Sequence, residues 1–548
     1  MTLASGVLRP MAEVDARPGL DNLPHRGVFV GRTRELDLLD VALAGPGEVV
    51  VQAVHGLGGI GKSALAAHWA ATRACRHRGQ VRWLRPHRRG YAPVRWITAD
   101  SAVSVQQGLA DLATALQPAL ALSADPSTEA QAERAMEWLA SHTGWLLILD
   151  NVNDRHDIDD LLGRARTGRF LITSRLSAAW PDAATILRLD VLEEADSLAL
   201  LTRTACASTG PRDMDGAPEL CAELGHLALA IEQAAAYLAQ SPLLTPRGYL
   251  TLLAQAPATL YQSGGSGVTD SERTIARVWR VTLDRIHHEQ PLATDLLRIL
   301  AWYAPDRIPA ALLDDAADPP ALTSALGLLT AYNMVTADPT THTLTVHRLV
   351  QALARTTDPP DPDNPDAIPD PHRAPDLIAQ ARNHATTHLH TAIPSYQDPS
   401  AWPTWHALLP HIDALINHAP PGADTSTTRA VLNWTGLFLD DQGSTARAIT
   451  YLERAVAAAV RLLGHDHPDT LTSHNNLAGA YESAGDLARA IPLFKQTLKD
   501  RQRVLGEDHR DTLTSRNNLA GAYESAGDLA RAIPLFKQTL KDRQRVLG

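Results

Sequence analysis

One stretch decides the fold of the N-terminal half: Gly56-Leu57-Gly58-Gly59-Ile60-Gly61-Lys62-Ser63, which follows the pattern G-x-x-x-x-G-K-[ST]. The apolar run EVVVQAV at 48–54 predicts a buried strand before it, and SALAAHWAATRA from Ser63 onward predicts a helix after it. Glycines at such a junction let backbone N–H groups converge on phosphate oxygens, and the helix N-terminus adds its positive dipole end. The stretch therefore predicts a phosphate-binding loop in an α/β domain.

The side chains of this loop predict bound ATP or ADP with Mg²⁺. Lys62 can reach the β- and γ-phosphates, and the Ser63 hydroxyl can ligate Mg²⁺. A glycine-rich turn that matches by chance is the alternative, and the flanking strand and helix argue against it. The loop residues expected to contact the nucleotide are Gly56, Gly58, Gly59, Gly61, Lys62, Ser63 and Ala64.

Two further apolar runs end in charged residues. The run Trp145-Leu146-Leu147-Ile148-Leu149-Asp150 predicts a strand that places Asp150 at the ligand-binding edge of a parallel sheet, as a magnesium ligand. Asn151 follows and offers no base for attacking water, and Asp154 substitutes only if its loop folds back.

The other run, RFLITSR at 169–175, ends in Arg175. A guanidinium at this position suits a γ-phosphate sensor, and a surface arginine at a strand end is the alternative. Lys62, Asp150 and Arg175 are thus the candidate catalytic residues.

The C-terminal region contains a duplication. Residues 463–504 and 505–546 agree at 39 of 42 positions, and a degenerate copy precedes them. The three changes are His465 to Glu507, Pro468 to Arg510 and His474 to Arg516. Each unit reads as two amphipathic helices that cannot bury their apolar faces alone, so neighbouring units must stack into an α-solenoid.

These units resemble the tetratricopeptide repeat in the 42-residue form of kinesin light chains. In that family the first helix of each unit lines a concave groove that binds a protein or peptide. The resemblance makes Asn475, Asn476, Asn517 and Asn518 candidates for partner binding. The alternative is that one asparagine of each pair satisfies the neighbouring turn.

Motifs on both sides of the loop carry a second resemblance. They are VFVGR at 28–32, LGHLALAIEQA at 224–234 and LTVHRLVQ at 344–351. With the glycine-rich loop and LLILD, they resemble the ordered motifs of NB-ARC domains, which belong to the STAND class of signal-transducing P-loop ATPases. The resemblance covers about residues 25–355.

The NB-ARC resemblance implies roles for residues outside the loop. Val30 and Arg32 match the segment beside the adenine. Leu227 and Ala228 match the GLPLAL motif, in which Ala228 replaces the nucleotide-contacting proline. His347 matches the histidine that contacts the ADP β-phosphate, although the local sequence is Val-His-Arg instead of Met-His-Asp.

The predicted fold class is an α/β P-loop NTPase domain followed by an all-α helical domain, a winged helix and an α-solenoid of tetratricopeptide repeats. The predicted divisions are 1–24 disordered, 25–190 nucleotide-binding, 191–268 helical, 269–356 winged helix, 357–376 acidic proline-rich linker, 377–428 helical connector and 429–548 repeats. A glycine-rich link is expected at 262–267, and the wing hairpin at 334–346.

Composition restricts the function classes. The net charge of −11 argues against a generally basic nucleic-acid-binding protein, so nucleic acid is not the expected partner. Seven arginines at 73–89 form either a surface insertion, which we favour, or a patch for acidic partners. Three cysteines without metal-binding spacing, and no apolar run of about 18 residues, predict a cytoplasmic protein without a membrane partner.

Three functions are consistent with these features. The favoured hypothesis is an ATP/ADP-controlled signalling switch with slow hydrolysis, and the family implies self-oligomerisation in the ATP state. The second is an interaction scaffold with structural nucleotide. The third, more distant, is a DNA-binding transcriptional regulator.

Overall fold

The computed structural model divides the chain into two units, Met1–Ala301 with Pro305–Ala379 and Trp302–Ala304 with Gln380–Gly548. The structure describes residues 8–17, 19–24, 28–44, 47–53, 59–73, 91–122, 127–174, 176, 180, 184–207, 210–255, 270–357 and 370–547. Three sequence features therefore fall outside it: the arginine-rich stretch from 74 onward, the glycine-rich link at 262–267 and the proline-rich stretch at 358–369.

A five-stranded parallel sheet organises the first part of the first unit. Its strands are β1 (Gly47–Ala53), β2 (Val94–Thr98), β3 (Leu146–Val152), β4 (Arg169–Ser174) and β5 (Thr185–Leu189). The strand order is β2-β3-β4-β1-β5, and every neighbouring pair is parallel. Such sheets are covered on both faces, which explains the continuous apolar runs that predicted them. The predicted α/β fold class is confirmed.

Helices cover this sheet. They are α1 (Thr33–Ala42), α2 (Lys62–Arg73), α3 (Ala102–Leu116), α4 (Thr128–Ser141) and α5 (Asp159–Arg164). Ser101 and Ser127 cap α3 and α4 by accepting backbone N–H bonds, which fixes where the two helices begin. Trp138, Trp145 and Leu149 are fully buried in the resulting core.

The N-terminal segment covers the edge of this sheet. The Asn22 side chain accepts from Trp96 N at 2.6 Å and donates to Trp96 O at 2.9 Å, so it replaces a neighbouring strand along β2. Trp138 Nε1 donates to Val14 O at 2.7 Å, and Met11 and Val14 are buried. Met11, Val14 and Asn22 therefore anchor the described part of this segment to the nucleotide-binding domain, although a disordered segment was expected over 1–24.

Helices and a small sheet complete the first unit. The helices are α6 (Glu194–Ala205), α7 (Ala217–Glu223), α8 (Ala228–Gln240), α9 (Pro246–Gln255), α10 (Asp270–Glu289), α11 (Pro291–Leu300), α12 (Pro319–Ala331) and α13 (Arg348–Arg355). The strands are β6 (Ile308–Pro309), β7 (Val335–Asp338) and β8 (Thr343–Val346), in the order β6-β8-β7. Antiparallel pairing of Val335 with Val346 confirms the predicted hairpin.

The end of the predicted proline-rich linker is folded. His372 Nε2 lies 2.7 Å from Asp284 Oδ1, and Arg373 Nε donates to Thr356 O at 2.8 Å. His372 and Arg373 are buried, and α14 (Pro375–Ala392) begins two residues later. The expectation of an extended loop over 357–376 is therefore wrong for residues 370–376.

The second unit is helical. After α14 come α15 (Trp402–His418), α16 (Ser426–Asp441), α17 (Thr445–Leu463), α18 (Pro468–Ser483), α19 (Leu487–Leu505), α20 (Arg510–Ser525) and α21 (Leu529–Leu547). Helices α16 to α21 form three hairpins, as the duplication predicts. Gly485 ends α18 with a positive φ of 74°, and Asp486 caps α19. Across the described ranges, no helix is long and apolar enough to span a bilayer.

Candidate functional site

Three oxygen-bearing side chains meet at the carboxyl edge of the parallel sheet. Ser63 lies in the first turn of α2, Asp150 near the end of β3 and Thr173 in β4. Ser63 Oγ and Thr173 Oγ1 each donate to Asp150 Oδ1 at 2.6 Å, and Asp150 is only 7% exposed. A carboxylate and hydroxyl groups are the oxygen ligands that Mg²⁺ prefers, so the residues fit the predicted metal.

Thr173 is a site residue that was not predicted from the sequence. Its hydroxyl donates to Asp150 and also accepts from Asn151 N at 2.8 Å. The available signal was a pair of polar residues at the end of an apolar strand, FLITS at 170–174. Thr173 therefore fixes the orientation of the carboxylate from the neighbouring strand.

The residue after Asp150 has an unusual backbone. Asn151 adopts a φ of 65°, and the β3–β4 register shifts between Leu149 and Val152. Asparagine tolerates this left-handed conformation better than most residues. Asp154, the alternative base, is exposed and accepts from His156 N at 3.0 Å, so its carboxylate caps a short helical turn.

The end of the glycine-rich loop contacts the start of α8. Gly59 and Gly61 have φ values of 80° and 97°, which side chains rarely adopt. A Cβ added at Gly59 would lie 3.0 Å from Leu229 Cβ, and Leu229 N donates to Gly59 O at 3.1 Å. The structure thus places the predicted pair Leu227 and Ala228 beside the loop.

The remaining loop residues are only partly described. Lys62 is the first residue of α2 and is half-buried, and Ala64 lies exposed in the same turn. Gly56, Gly58 and Arg175 lie outside the described residues. Their predicted roles remain predictions.

Arg32 joins three parts of the nucleotide-binding region. It is 8% exposed and has a φ of 58°, and its guanidinium donates to Ile60 O at 3.2 Å and Asp190 O at 2.6 Å. Through these two acceptors, Arg32 links the Val30 segment to the glycine-rich loop and to the end of β5. Val30 itself is half-buried, and its proximity to an adenine stays a prediction.

His347 lies at the start of α13. Its side chain is exposed, and Nδ1 accepts from Leu349 N at 3.2 Å, so it caps this helix. This local bond orients the imidazole. The predicted contact of His347 with a β-phosphate remains a prediction.

The predicted partner-binding asparagines contact neighbouring repeats. Asn475 Oδ1 accepts from Ser515 Oγ at 3.3 Å, and Asn476 Nδ2 donates to Asn433 Oδ1 at 3.0 Å. Asn475 is buried, whereas Asn517 and Asn518 are half-buried. The first pair therefore links adjacent hairpins, and partner binding by any of the four is still a prediction.

Comparison with known families agrees with this architecture. Residues 33–210 match the NB-ARC domain, and residues 427–503 and 488–545 match the tetratricopeptide repeat. The chain contains an NB-ARC domain and tetratricopeptide repeats. Between them, residues 284–360 match a family described only as a domain of unknown function.

Curated relatives match parts of this chain. A nucleotide-binding leucine-rich repeat (NLR)-like protein of Hyaloscypha variabilis is 28% identical over 482 residues, which cover 82% of this chain and 45% of that protein. The regulatory protein AfsR of Streptomyces griseus is 33% identical over 217 residues, which cover 38% of this chain and 21% of that protein. The chain spans less than half the length of either relative.

Among solved structures, a STAND protein with a tetratricopeptide repeat sensor from Pyrococcus horikoshii superimposes with a TM-score of 0.48 at 15% identity. The match covers 95% of this chain and 78% of that protein.

Proposed function

We propose that this chain is a nucleotide-controlled signalling switch. The NB-ARC domain would bind ATP or ADP with Mg²⁺, and the repeats would bind a protein or peptide partner. ADP would hold the first unit in its closed arrangement, and the partner would favour the ATP-bound arrangement, in which the chain would self-associate. A partner shifts this balance only by its differential affinity for the two arrangements.

The observation that carries the proposal is the convergence on Asp150. Ser63 from the loop helix and Thr173 from β4 both donate to one carboxylate oxygen at 2.6 Å. Ser63 and Asp150 would hold Mg²⁺, which would supply charge neutralisation for the phosphates, while Lys62 contacts the β- and γ-phosphates. Thr173 would keep the carboxylate aimed at this position.

Hydrolysis in this scheme is slow and resets the switch. Asn151 follows Asp150 where an acidic residue would activate water, and an amide cannot accept that proton. The Asp154 carboxylate already accepts a hydrogen bond from His156 N in a local turn. Slow turnover suits a reset step better than metabolic ATP consumption.

The test is calorimetric binding of ADP and of a non-hydrolysable ATP analogue to the full chain, with Mg²⁺ and with EDTA. Asp150→Asn should weaken Mg²⁺-dependent binding about tenfold or more, because it removes a charged metal ligand. Asp154→Asn is the matched control, since it removes an exposed carboxylate from the same strand end. If the wild type binds neither nucleotide with Mg²⁺ present, the switch proposal fails.

A further inference from the structure

Arg348 has unsatisfied hydrogen-bond donors next to the nucleotide-binding region. It is the first residue of α13 and directly follows His347. Its NH1 and NH2 atoms are both buried, and neither has a hydrogen-bond acceptor among the described residues. A buried guanidinium normally finds acceptors, because leaving its donors unsatisfied costs free energy.

Arg348 forms an ion pair with a carboxylate at the sheet edge. Arg348 NH2 lies 3.5 Å from Asp100 Oδ2, which is an ion pair but is longer than an ordinary hydrogen bond. Asp100 comes two residues after β2, and Thr98 of β2 is the register partner of Asp150. Ala99 N also donates to Asp150 O at 2.8 Å. Arg348 therefore lies at the carboxyl edge that carries the predicted magnesium ligand.

A third carboxylate shares these surroundings. Burial raises the pKa of Asp306, the Arg348 charge opposes that rise, and the charge of Asp150 adds to it. Asp306 thus lies within electrostatic reach of both. Asp100 and Asp306 therefore lie beside the Arg348 guanidinium, whose buried NH1 and NH2 atoms lack acceptors within the described chain, and Asp306 is also within electrostatic reach of Asp150. A bound metal ion and phosphate would balance these charges.

We infer that Arg348 is a ligand for the terminal phosphate of the bound nucleotide, and that Asp100 holds it in place when this phosphate is absent. The inference rests on the proposed nucleotide binding. The planar guanidinium matches phosphate oxygens in a bidentate fashion, which a carboxylate at 3.5 Å does not achieve here. His347 caps α13 and so fixes the turn that presents Arg348.

The two partners of this pair should act in opposite directions. Removing Arg348 removes a contact that ATP makes through its γ-phosphate, so it should weaken binding of the ATP analogue more than binding of ADP. Removing the Asp100 charge frees the guanidinium for phosphate, so it should strengthen binding of the ATP analogue relative to binding of ADP. A merely structural role for the ion pair would change both affinities in the same direction.

The experiment measures the ratio of the Kd values for ADP and a non-hydrolysable ATP analogue, by calorimetry with the full chain and Mg²⁺. Arg348→Gln should shift the ratio toward ADP about tenfold or more, the range expected for charge-assisted hydrogen bonds. Asp100→Asn should shift it the other way. Arg348→Lys keeps the charge without the planar fork and should fall between wild type and Arg348→Gln.

Arg307→Gln is the matched control. Arg307 directly precedes β6, is 70% exposed and pairs with Asp111 at 3.3 Å, so its loss removes the same charge from an exposed ion pair. Its ratio should equal that of the wild type. An unchanged ratio in Arg348→Gln, or an equal shift in Arg307→Gln, overturns the inference. Wild-type chain that binds neither nucleotide instead overturns the proposed function.

Discussion

The second and third repeats have almost the same sequence in different surroundings. Residues 463–504 and 505–546 differ at three positions, yet Leu498 is 8% exposed and its counterpart Leu540 is 60% exposed. Helix α20 follows and packs on α19, whereas within the described part of this chain no helix follows α21. Burial in a stacked array is therefore set by the neighbouring hairpin rather than by the local sequence.

Two of the three sequence differences act together. In the third repeat Arg516 pairs with Glu507 at 2.7 Å and with Asp542 at 2.6 Å. In the second repeat the corresponding His474 is half-buried, and its burial and the charge of His465 lower its pKa. The exchange thus replaces two histidines by an ion pair, which leaves the hairpin geometry intact while changing its response to pH.

The largest difference between the two repeats should come from their phenylalanines. Phe494 is 1% exposed in the core of the array, and its counterpart Phe536 is half-buried. Phe494→Ala should lower the free energy of unfolding by about 3–5 kcal/mol, because it leaves a cavity between hairpins. Phe536→Ala should cost at most about 2 kcal/mol, because its ring is partly hydrated already.

Urea unfolding followed by circular dichroism measures this pair, and hydrogen exchange of α19 and α21 locates the loss. Equal losses at Phe494 and Phe536 would contradict the dependence on neighbours.

Arginines at equivalent positions provide the next comparison. Arg501 is 3% exposed, and its guanidinium donates to Asp511 O, Ser515 Oγ and Thr472 Oγ1, each at 2.9 Å. The bonds to Asp511 and Ser515 join the second hairpin to α20, and the bond to Thr472 joins the two helices of that hairpin. Arg501→Ala should cost about 2 kcal/mol, since buried acceptors lose a charged donor.

Arg543, the counterpart of Arg501 in α21, is half-buried and has no following hairpin in the described chain. Arg543→Ala should therefore change stability by less than about 0.5 kcal/mol. The same urea titration compares the two variants, and a large loss for Arg543→Ala would show that this arginine acts within its own repeat.

The duplication explains how much of the repeat region could be predicted from sequence. The apolar periodicity and Gly485 predicted the helices and their ends, because both signals are local. The different exposure of Leu498 and Leu540 could not follow from identical sequences, because it depends on which hairpin comes next. The contacts of Asn475 and Asn476 were missed for the same reason.

The nucleotide site shows the same limit. The pattern around Ser63 and the carboxylate Asp150 could be predicted, because a strand, a loop and a helix follow each other in sequence. Thr173 and Arg348 could not, because their contacts join β4 and α13 to residues far away in the chain. A sequence pattern identifies site residues that are close together in the chain. Only the fold shows which side chains from distant parts of the chain meet them.

Asparagine variants of the two repeats should differ less in their free energy of unfolding than the arginine variants do. Asn475 is 9% exposed and accepts from Ser515 of the next hairpin, whereas Asn517 is half-buried. Asn475→Ala should cost about 1 kcal/mol, the usual contribution of one hydrogen bond, and Asn517→Ala clearly less. Thermal unfolding measures both variants, and similar losses would indicate that the asparagine is needed within its own repeat.

The smallest effect should be a difference in pH response. Because the folded-state pKa of His474 is lowered, the unfolded chain binds a proton more readily, and the second repeat loses stability as pH falls below 6.5. Asp500 nearby opposes the shift, and the side chain is only half-buried, so the loss is small.

Replacing His465 by Glu and His474 by Arg copies the ion pair of the third repeat and should remove this loss. Urea midpoints at pH 7.5, 6.5 and 5.5, with hydrogen exchange of α18, compare this double variant with the wild type; the histidines outside this pair are common to both chains. His474→Gln is the control, since it removes the titration without adding an ion pair, and it should flatten the pH dependence equally. Parallel pH curves for the wild type and both variants would show that His474 does not distinguish the repeats.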